Sequence, residues 1–463
     1  MSIQRAIVLG GSVTGLLAAA ALSDVVKSVV IVDRDELVGD GPDALKSRRG
    51  VPQGDQVHHL LALGADRIEQ LLPGLSEELL AEGCSQHDNL AEFAQFTYGA
   101  WRARFESDLK LTCFTRPVFE GVIRRRVLKI ANVTTHKGVV SGLVASDDKS
   151  AIIGAKVKNA SDGVLLGDLV VDATGRGTKT PRWIEDLGYP RPAEWHLRVY
   201  MGYSCFLIEI PEGELPEGVS ALACAPTADN KSNGMAVWPC GRGQHIVVAA
   251  GTMRNYPPAS VEGVLEIADN LPTPLIANAI RSAKVVSEPK TYQMSGDQRI
   301  RWEDMDRRPE GLVVLGDAVA SYNPTYGQGM TMAAVGSVEL RSILRETNGD
   351  ITGVADRLQK QLSPMVDLAW DNAVKTDSVY EGVEYENMEP PAKTPPEFAK
   401  AFVEVQSAEP EVALAARKAM LWMDNGYLTT PSVQKKIADW IADGRTVGAA
   451  AGDPLAIPPL IGA

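Results

Sequence analysis

The apolar positions of this chain fall into short runs of distinct kinds. Ala6-Ile7-Val8-Leu9, Val29-Val30-Ile31-Val32 and Leu312-Val313-Val314-Leu315 are unbroken. Such runs read as strands buried on both faces, as in a parallel sheet. Residues 16–22, rich in Ala and Leu, predict a helix between the first two. Residues 133–140, 151–158 and 164–171 look like further strands of the same domain. Residues 200–210, 234–238 and 244–251 alternate or run apolar, and predict an antiparallel sheet. Residues 93–105, with five aromatic side chains, read as strands near the start of that second sheet. Residues 60–80 predict a helix broken at Pro73-Gly74. A second helix opens at Pro117 and runs to Val127, and residues 330–344 form a third. From about residue 350 to 443 the pattern is mainly helical, interrupted by the Pro-rich stretch 390–396.

The matching runs at residue 6 and residue 312 predict a discontinuous first domain made of 1–60, 106–185 and 290–345. A second domain of 61–105 and 186–289 is inserted, and a helical region, 346–445, follows. The Gly/Ala/Pro-rich tail, 446–463, is expected to be loose. A length of 463 residues accommodates this plan, and the 45% hydrophobic content is ordinary for a globular protein. The net charge of −13 argues against nucleic acid as a partner. Five scattered cysteines without a CxxC point to reduced thiols in the cytoplasm. The six histidines are also scattered, so no metal is expected. No apolar run reaches the length of a transmembrane helix.

Candidate chemistry lies at the strand ends. Gly10-Gly11-Ser12-Val13-Thr14-Gly15 follows the first strand and opens the first helix, and Asp33 ends the second strand. This is the layout of a dinucleotide-binding unit, with Ser12 in place of the middle glycine. Gly10, Gly11 and Gly15 let the backbone approach a pyrophosphate, the helix end supplies N–H groups, and Asp33 would take ribose hydroxyls. Only one such unit is present. Gly316-Asp317 ends the late strand and is followed by Asn323-Pro324, Tyr326-Gly327 and Gln328-Gly329-Met330. Asp317 could hold a ribityl hydroxyl, and the Gly327/Gly329 backbone could face a ring that becomes anionic on reduction.

Together with Arg116 and Asp172-Ala173-Thr174-Gly175, these motifs occur in the order of the single-component, aromatic-hydroxylase-type flavin monooxygenases. The chain resembles that superfamily over roughly residues 5 to 345. Within it, Arg49-Gly50-Val51-Pro52-Gln53 with His58, and Leu71-Leu72-Pro73-Gly74, look most like the flavin epoxidases of polyether biosynthesis, such as the lasalocid and monensin enzymes. Three positions depart from that pattern. Gln56 stands for a His, Phe206 for an Arg, and Gln328 for a His.

The resemblance implies an α/β fold. It would comprise an FAD-binding, Rossmann-like domain of the glutathione-reductase type, an inserted mixed or antiparallel-sheet substrate domain, and a C-terminal helical region. It implies FAD held by Gly10, Gly11, Ser12, Gly15, Asp33, Arg34, Arg48, Arg116, Val140, Ala173, Gly175, Gly316, Asp317, Pro324, Gly327, Gly329 and Met330. With a single dinucleotide unit, NAD(P)H would act as a transient reductant, or a flavin-reducing partner would serve. One oxygen atom from O2 would enter a largely apolar small molecule through a flavin C4a-hydroperoxide, epoxidation of an alkene being favoured. Gln53 and His58 are the candidates to face the flavin. Phe93, Phe96, Tyr98, Trp101, Tyr203, Phe206 and Trp238 are candidates for the substrate pocket, each also readable as core. Aromatic hydroxylation, a prenyl-reductase-type reaction and halogenation stay open as alternatives. The halogenases' Trp-x-Trp-x-Ile-Pro segment is missing.

Overall fold

The computed structural model describes residues 3–160, 162–225, 233–392, 394–448 and 452–461. Five parallel strands form the first layer. Their order is Leu312–Val314, Leu169–Asp172, Arg5–Leu9, Ser28–Asp33 and Val133–Lys137. The inner strands are buried on both faces, which is why they read as unbroken apolar runs. Leu9, Asp172 and Val314 lie level with one another across three neighbouring strands. Their carboxyl ends, and the turns that follow, therefore share one edge. The helix Val13–Ser23 is buried along almost its whole length, between this sheet and the helices Arg116–Val127 and Gln328–Glu346.

Of the strands expected in the first domain, Val133–Lys137 and Leu169–Asp172 join this layer. Val139–Ala145, Ile152–Lys158 and Val164–Leu166 instead form a separate three-stranded antiparallel sheet. The burial of Ile152–Lys158 nearly alternates between buried and exposed. One face of that sheet therefore meets water, which a strand between two helical layers could not do.

The second large sheet is built on the 16-residue strand Glu194–Glu209. Lys290–Ile300 and Gln244–Gly251 flank it, and Gly234–Gly241, Ala221–Cys224 and Phe93–Thr97 continue the sheet. The helices Val261–Asp269 and Leu275–Ser282 cover one face and close a second core. Phe93–Thr97 pairs with Ala100–Trp101 across Tyr98-Gly99, both at positive φ, a tight hairpin turn. The helices Val354–Asp377, Pro396–Ala408, Pro410–Trp422 and Pro431–Ala442 complete the chain. Among the described residues no helix is long and apolar enough to cross a membrane.

The described part of the tail is tied down. Trp101 Nε1 donates to the Asp453 carbonyl at 2.8 Å, Thr273 Oγ1 to the Pro454 carbonyl at 2.7 Å, and Ile461 N to the Arg104 carbonyl at 2.8 Å. A Gly/Ala/Pro composition weakens regular structure but leaves backbone groups free to bond: two tail carbonyls accept from Trp101 and Thr273, and one tail N–H donates to the Arg104 carbonyl.

Candidate functional site

Three turns meet at the carboxyl edge of the parallel sheet. Gly10 has φ +99, and a Cβ there would stand 2.5 Å from the Ala173 carbonyl oxygen. A Cβ on Gly316, φ +62, would stand 2.5 Å from Thr14 Oγ1. Any side chain at Gly15 would collide with the Gly10 carbonyl, so only glycine brings the first helix this close to the turn. The buried Asp172 builds the middle turn by accepting from Thr174 N at 2.9 Å and Thr174 Oγ1 at 2.6 Å. Gly175 follows in the same turn at φ +80.

Ser12 does not cap its helix through its side chain. Its hydroxyl donates to Glu120 Oε2 at 2.9 Å and accepts from Arg116 Nη2 at 3.0 Å. The cap is thereby left to an outside anion, a pyrophosphate by chemistry, with the helix dipole behind it. Glu120 is the hub, meeting Arg48 Nε at 2.7 Å, Arg116 at 3.2 Å and Arg124 at 3.3 Å. Burial pushes its carboxyl up, but the Arg116 and Arg48 charges more than offset this and hold it below its ordinary range. Arg48 also ties Asp33, Asp35 and the Gly11 carbonyl together.

Asp33 accepts from Gly11 N, Asp35 N and Arg48 Nη1 at 2.7, 2.8 and 3.2 Å. A carboxylate has about four acceptor positions, so about one remains for a ribose hydroxyl. Arg34 is exposed and donates to the Arg49 carbonyl. The glycine clearances, the open cap and Asp33 together fit an FAD.

At the other end, Asp317 stands beside Gly329, where a Cβ would be 3.3 Å from its Oδ1. Burial pushes the Asp317 carboxyl up, opposed by Arg116 and Arg176. Gly327, φ +66, precedes the helix Gln328–Glu346, and a Cβ there would run into the His59 ring. Pro324 is exposed at the start of the same turn, and Met330 is buried in the helix. Asp317, Tyr326, His58 and His59 are partly buried around this turn. Burial, then the Arg116 charge, lowers His58 to about 3; burial, then Arg417, lowers His59 to about 4. His58 donates from Nδ1 to the Gln56 carbonyl at 2.9 Å if that nitrogen carries the proton. Gln53 is half-buried in the turn before it, its carbonyl accepting from Gln56 N.

The turn holding Gly327 rests on a buried network. Asn323 Nδ2 donates to both oxygens of Asp377 at 3.0 Å, and Tyr326 Oη donates to Asp377 Oδ1 at 2.6 Å. Tyr203 Oη donates to Asn323 Oδ1 at 2.8 Å. Asn323 N donates to Asp297. Burial, and then the Asp377 charge, push Asp297 well above the carboxylate range, so the pair keeps a proton between its members.

Between the loop after Leu45 and the second sheet lies a cavity of about 320 Å³. Phe206, Cys205, Cys240, Val118 and Gln56 line it, with Lys290 at its rim. Gln56 Nε2 donates to the Lys290 carbonyl, while its buried Oε1 has no partner among the described residues. Of the seven aromatic candidates, Phe206 lines this cavity. Phe93 and Trp238 pack edge to face at 4.5 Å, with His59 at 5.9 Å from Trp238. Tyr203 holds the flavin-side turn. Phe96 and Trp101 pack on each other at 5.0 Å in the second core, and Tyr98 turns the hairpin. Val140 lies on the small antiparallel sheet, two residues beyond Gly138, whose N–H donates to the Asp33 carbonyl at 2.8 Å.

Glu120, His59, Asp297, Asp377 and Arg417 were not singled out by motif. The Arg116-Glu120-Arg124 spacing carried a readable signal, since residues four apart share a helix face. Asp297 and Asp377 carried none, because their partners come from distant strands and helices.

No family model matches the chain. It is 31% identical over 365 residues to Protein Rv3254 of Mycobacterium tuberculosis (strain ATCC 25618 / H37Rv), covering 76% of this chain and 75% of that protein. Its fold is shared with solved flavoproteins. A flavoprotein/dehydrogenase from Cytophaga hutchinsonii superposes with a TM-score of 0.65 at 14% identity, over 95% of this chain and 97% of that one. The flavin-dependent brominase Bmp2, as a triple mutant, gives 0.63 at 12%, over 95% and 98%. PqsL, a probable FAD-dependent monooxygenase from Pseudomonas aeruginosa, gives 0.62 at 16%, over 82% and 97%. The α/β fold with a parallel sheet is therefore that of the FAD-binding monooxygenases.

Proposed function

The chain belongs to the family of Protein Rv3254, and from its site we propose an FAD-dependent monooxygenase acting on a largely apolar small molecule. One observation carries this reading. The dinucleotide cradle at Gly10–Gly15 meets the turn at Gly316–Gly329: a Cβ on Gly316 would stand 2.5 Å from Thr14 Oγ1, and one on Gly327 would run into the ring of His59, for which the fold favours the neutral form.

The residues assigned to FAD are those of the three turns, with Asp33 and Asp317 taking its hydroxyls and the open helix cap its pyrophosphate. Bound FAD, reduced by NAD(P)H or by a flavin-reducing partner, supplies the activation of O2. This chain's residues then bind, orient and exclude water. The Asn323–Gly327 turn, braced by Asp377, spends its own N–H groups internally and would present those of the following helix N-terminus, from Gln328 on, to the ring. Phe93 and Trp238 wall the space beside His59.

Epoxidation is the finer proposal. It is supported by the likeness of Arg49–Gln53 and Asn323–Met330 to the epoxidases and by the weak basicity of His58 and His59. An alkene is itself the nucleophile and asks for no base, whereas a phenol has a proton to lose. The test is isotope labelling with candidate alkenes. The product is expected to gain one ¹⁸O from ¹⁸O₂ and none from H₂¹⁸O. A halogenated product, a reduced alkene or oxygen drawn from water would overturn the reading.

A further inference from the structure

One deep cation has no anion to meet. Arg417, on the helix Pro410–Trp422, donates from Nη2 to Gln95 Oε1 at 3.1 Å and from Nη1 to Met420 Sδ at 3.2 Å. Its buried Nε has no partner, and no carboxylate stands within 4.0 Å of the guanidinium, among the described residues. The same Gln95 oxygen accepts from Arg102 Nη1 at 3.2 Å. Arg102 is a clip, its Nη2 donating to the Asn89 and Phe93 carbonyls at 2.8 and 2.9 Å. It too lacks a carboxylate among the described residues. Arg116 and Arg124 are neutralised by Glu120 and Arg299 by Glu303 and Asp367, while the buried Arg104 is held by the Ala91, Gly218 and Pro458 carbonyls.

Two guanidinium groups bridged by one neutral oxygen are costly in a low dielectric. Burial accordingly lowers Arg417 to about 10. The chain has 59 acidic residues, yet none of those described answers this charge. Arg417 has one oxygen acceptor for five N–H donors. It lies deep yet keeps part of its surface free, as His59 does. Gln95, its acceptor, lies two residues from Phe93 on one strand and so on the same face, and Phe93 packs on Trp238 beside His59, whose ring abuts Gly327. Arg417 is thereby placed near the ring-side turn.

We propose that Arg417, with Arg102 behind it, holds a planar oxyanion of the substrate: a carboxylate or an ionised enol. A guanidinium fork matches such a group with two parallel hydrogen bonds. The anchor thus comes from the C-terminal helical region and not from the second sheet, where Phe206 offers none. The word substrate rests on the oxygen-insertion reading above; the anion site itself does not.

Benzoate and benzamide, equal in shape and different in charge, are the probes, titrated by calorimetry into FAD-saturated protein. Benzoate is expected to bind about tenfold more tightly or better, a difference of about 1.4 kcal/mol. Arg417→Gln should abolish that preference, Arg417→Lys should keep part of it, and the FAD dissociation constant should stay within about twofold of wild type. Equal binding of the two probes, or a preference unchanged in Arg417→Gln, overturns the proposal. Should Arg417→Gln fail to fold, NMR titration of wild-type His59 decides: benzoate should raise it from about 4, and an unmoved value overturns the site. A protein that refuses FAD counts against the monooxygenase reading alone, because the benzoate comparison then runs on the same protein without flavin.

Discussion

Glu120 gathers three guanidinium groups on one buried carboxylate, and Ser12 joins them. Removing that charge would leave three cations facing a neutral amide. Glu120→Gln is therefore expected to lose about 3–5 kcal/mol of stability, read as a lower urea midpoint. Loss under about 1 kcal/mol would show that the arginines find water instead. The Asp297–Asp377 pair has the opposite character. Its raised carboxyl means that the folded chain holds a proton that the unfolded chain releases at ordinary carboxylate pH. The pair's contribution is thus complete below the ordinary carboxylate range and falls as pH rises toward the folded value. Asp297→Asn keeps the protonated shape and sheds that dependence. The variant should gain melting temperature relative to wild type at pH 8 and lose this advantage at pH 4, in paired calorimetric scans. A constant offset at both pH values would show that the pair shares no proton.

The turn Asn323–Gly327 is the element on which the ring-side geometry depends. Gly327→Ala is expected to weaken FAD binding about tenfold or more, because the new methyl must displace His59 from a backbone already at positive φ. His59→Ala in the same protein should restore part of that loss by making room, which a double-mutant cycle of FAD dissociation constants would show. Strict additivity would rule out the collision as the cause. How much of this was legible in the sequence depends on the range of each interaction. The Gly10–Gly15 turn, the Asp317 turn and the parallel strands were readable, because a strand, a glycine and a helix cap are local in sequence. The helix Arg116–Val127 was readable from its Pro and its apolar spacing. That 139–166 would form a separate antiparallel sheet was not legible, since the apolar runs give strands but not their partners. Phe96 and Trp101 entered the pocket list on aromatic character, which says nothing about which face of a strand they take. The braces Asp297, Asp377 and Arg417 were invisible because their partners lie in distant segments, Asp377 being 54 residues from Asn323 and Arg417 322 from Gln95.

For the molecule as a whole, the deep histidines predict sensitivity to mild acid. His58 near 3 and His59 near 4 lie below the ordinary value of 6.5, so the fold favours their neutral forms. Their contribution is full above about 6.5 and drains away as pH falls toward the folded values, since the unfolded chain takes up protons that the fold refuses. The Asp297–Asp377 pair works in the opposite direction, so the test uses the Asp297→Asn background: there the melting temperature should fall between pH 7 and pH 5, and His58→Phe should flatten that slope. A level profile in that background would mean that both rings take up protons freely when folded. The cradle is also divided along the chain. Its first turn is complete by Gly15, its ring-side turn comes at Asn323–Gly327, and the brace for that turn is Asp377. A ribosome adding about 5–20 residues per second reaches Asp377 roughly 20–70 s after the glycine turn has emerged. Through that interval the nascent chain shows half a nucleotide site with nothing to close over the ring. Flavin capture is thereby deferred to the finished polypeptide, and chains truncated before the helix Val354–Asp377 should emerge colourless however much flavin the cell contains.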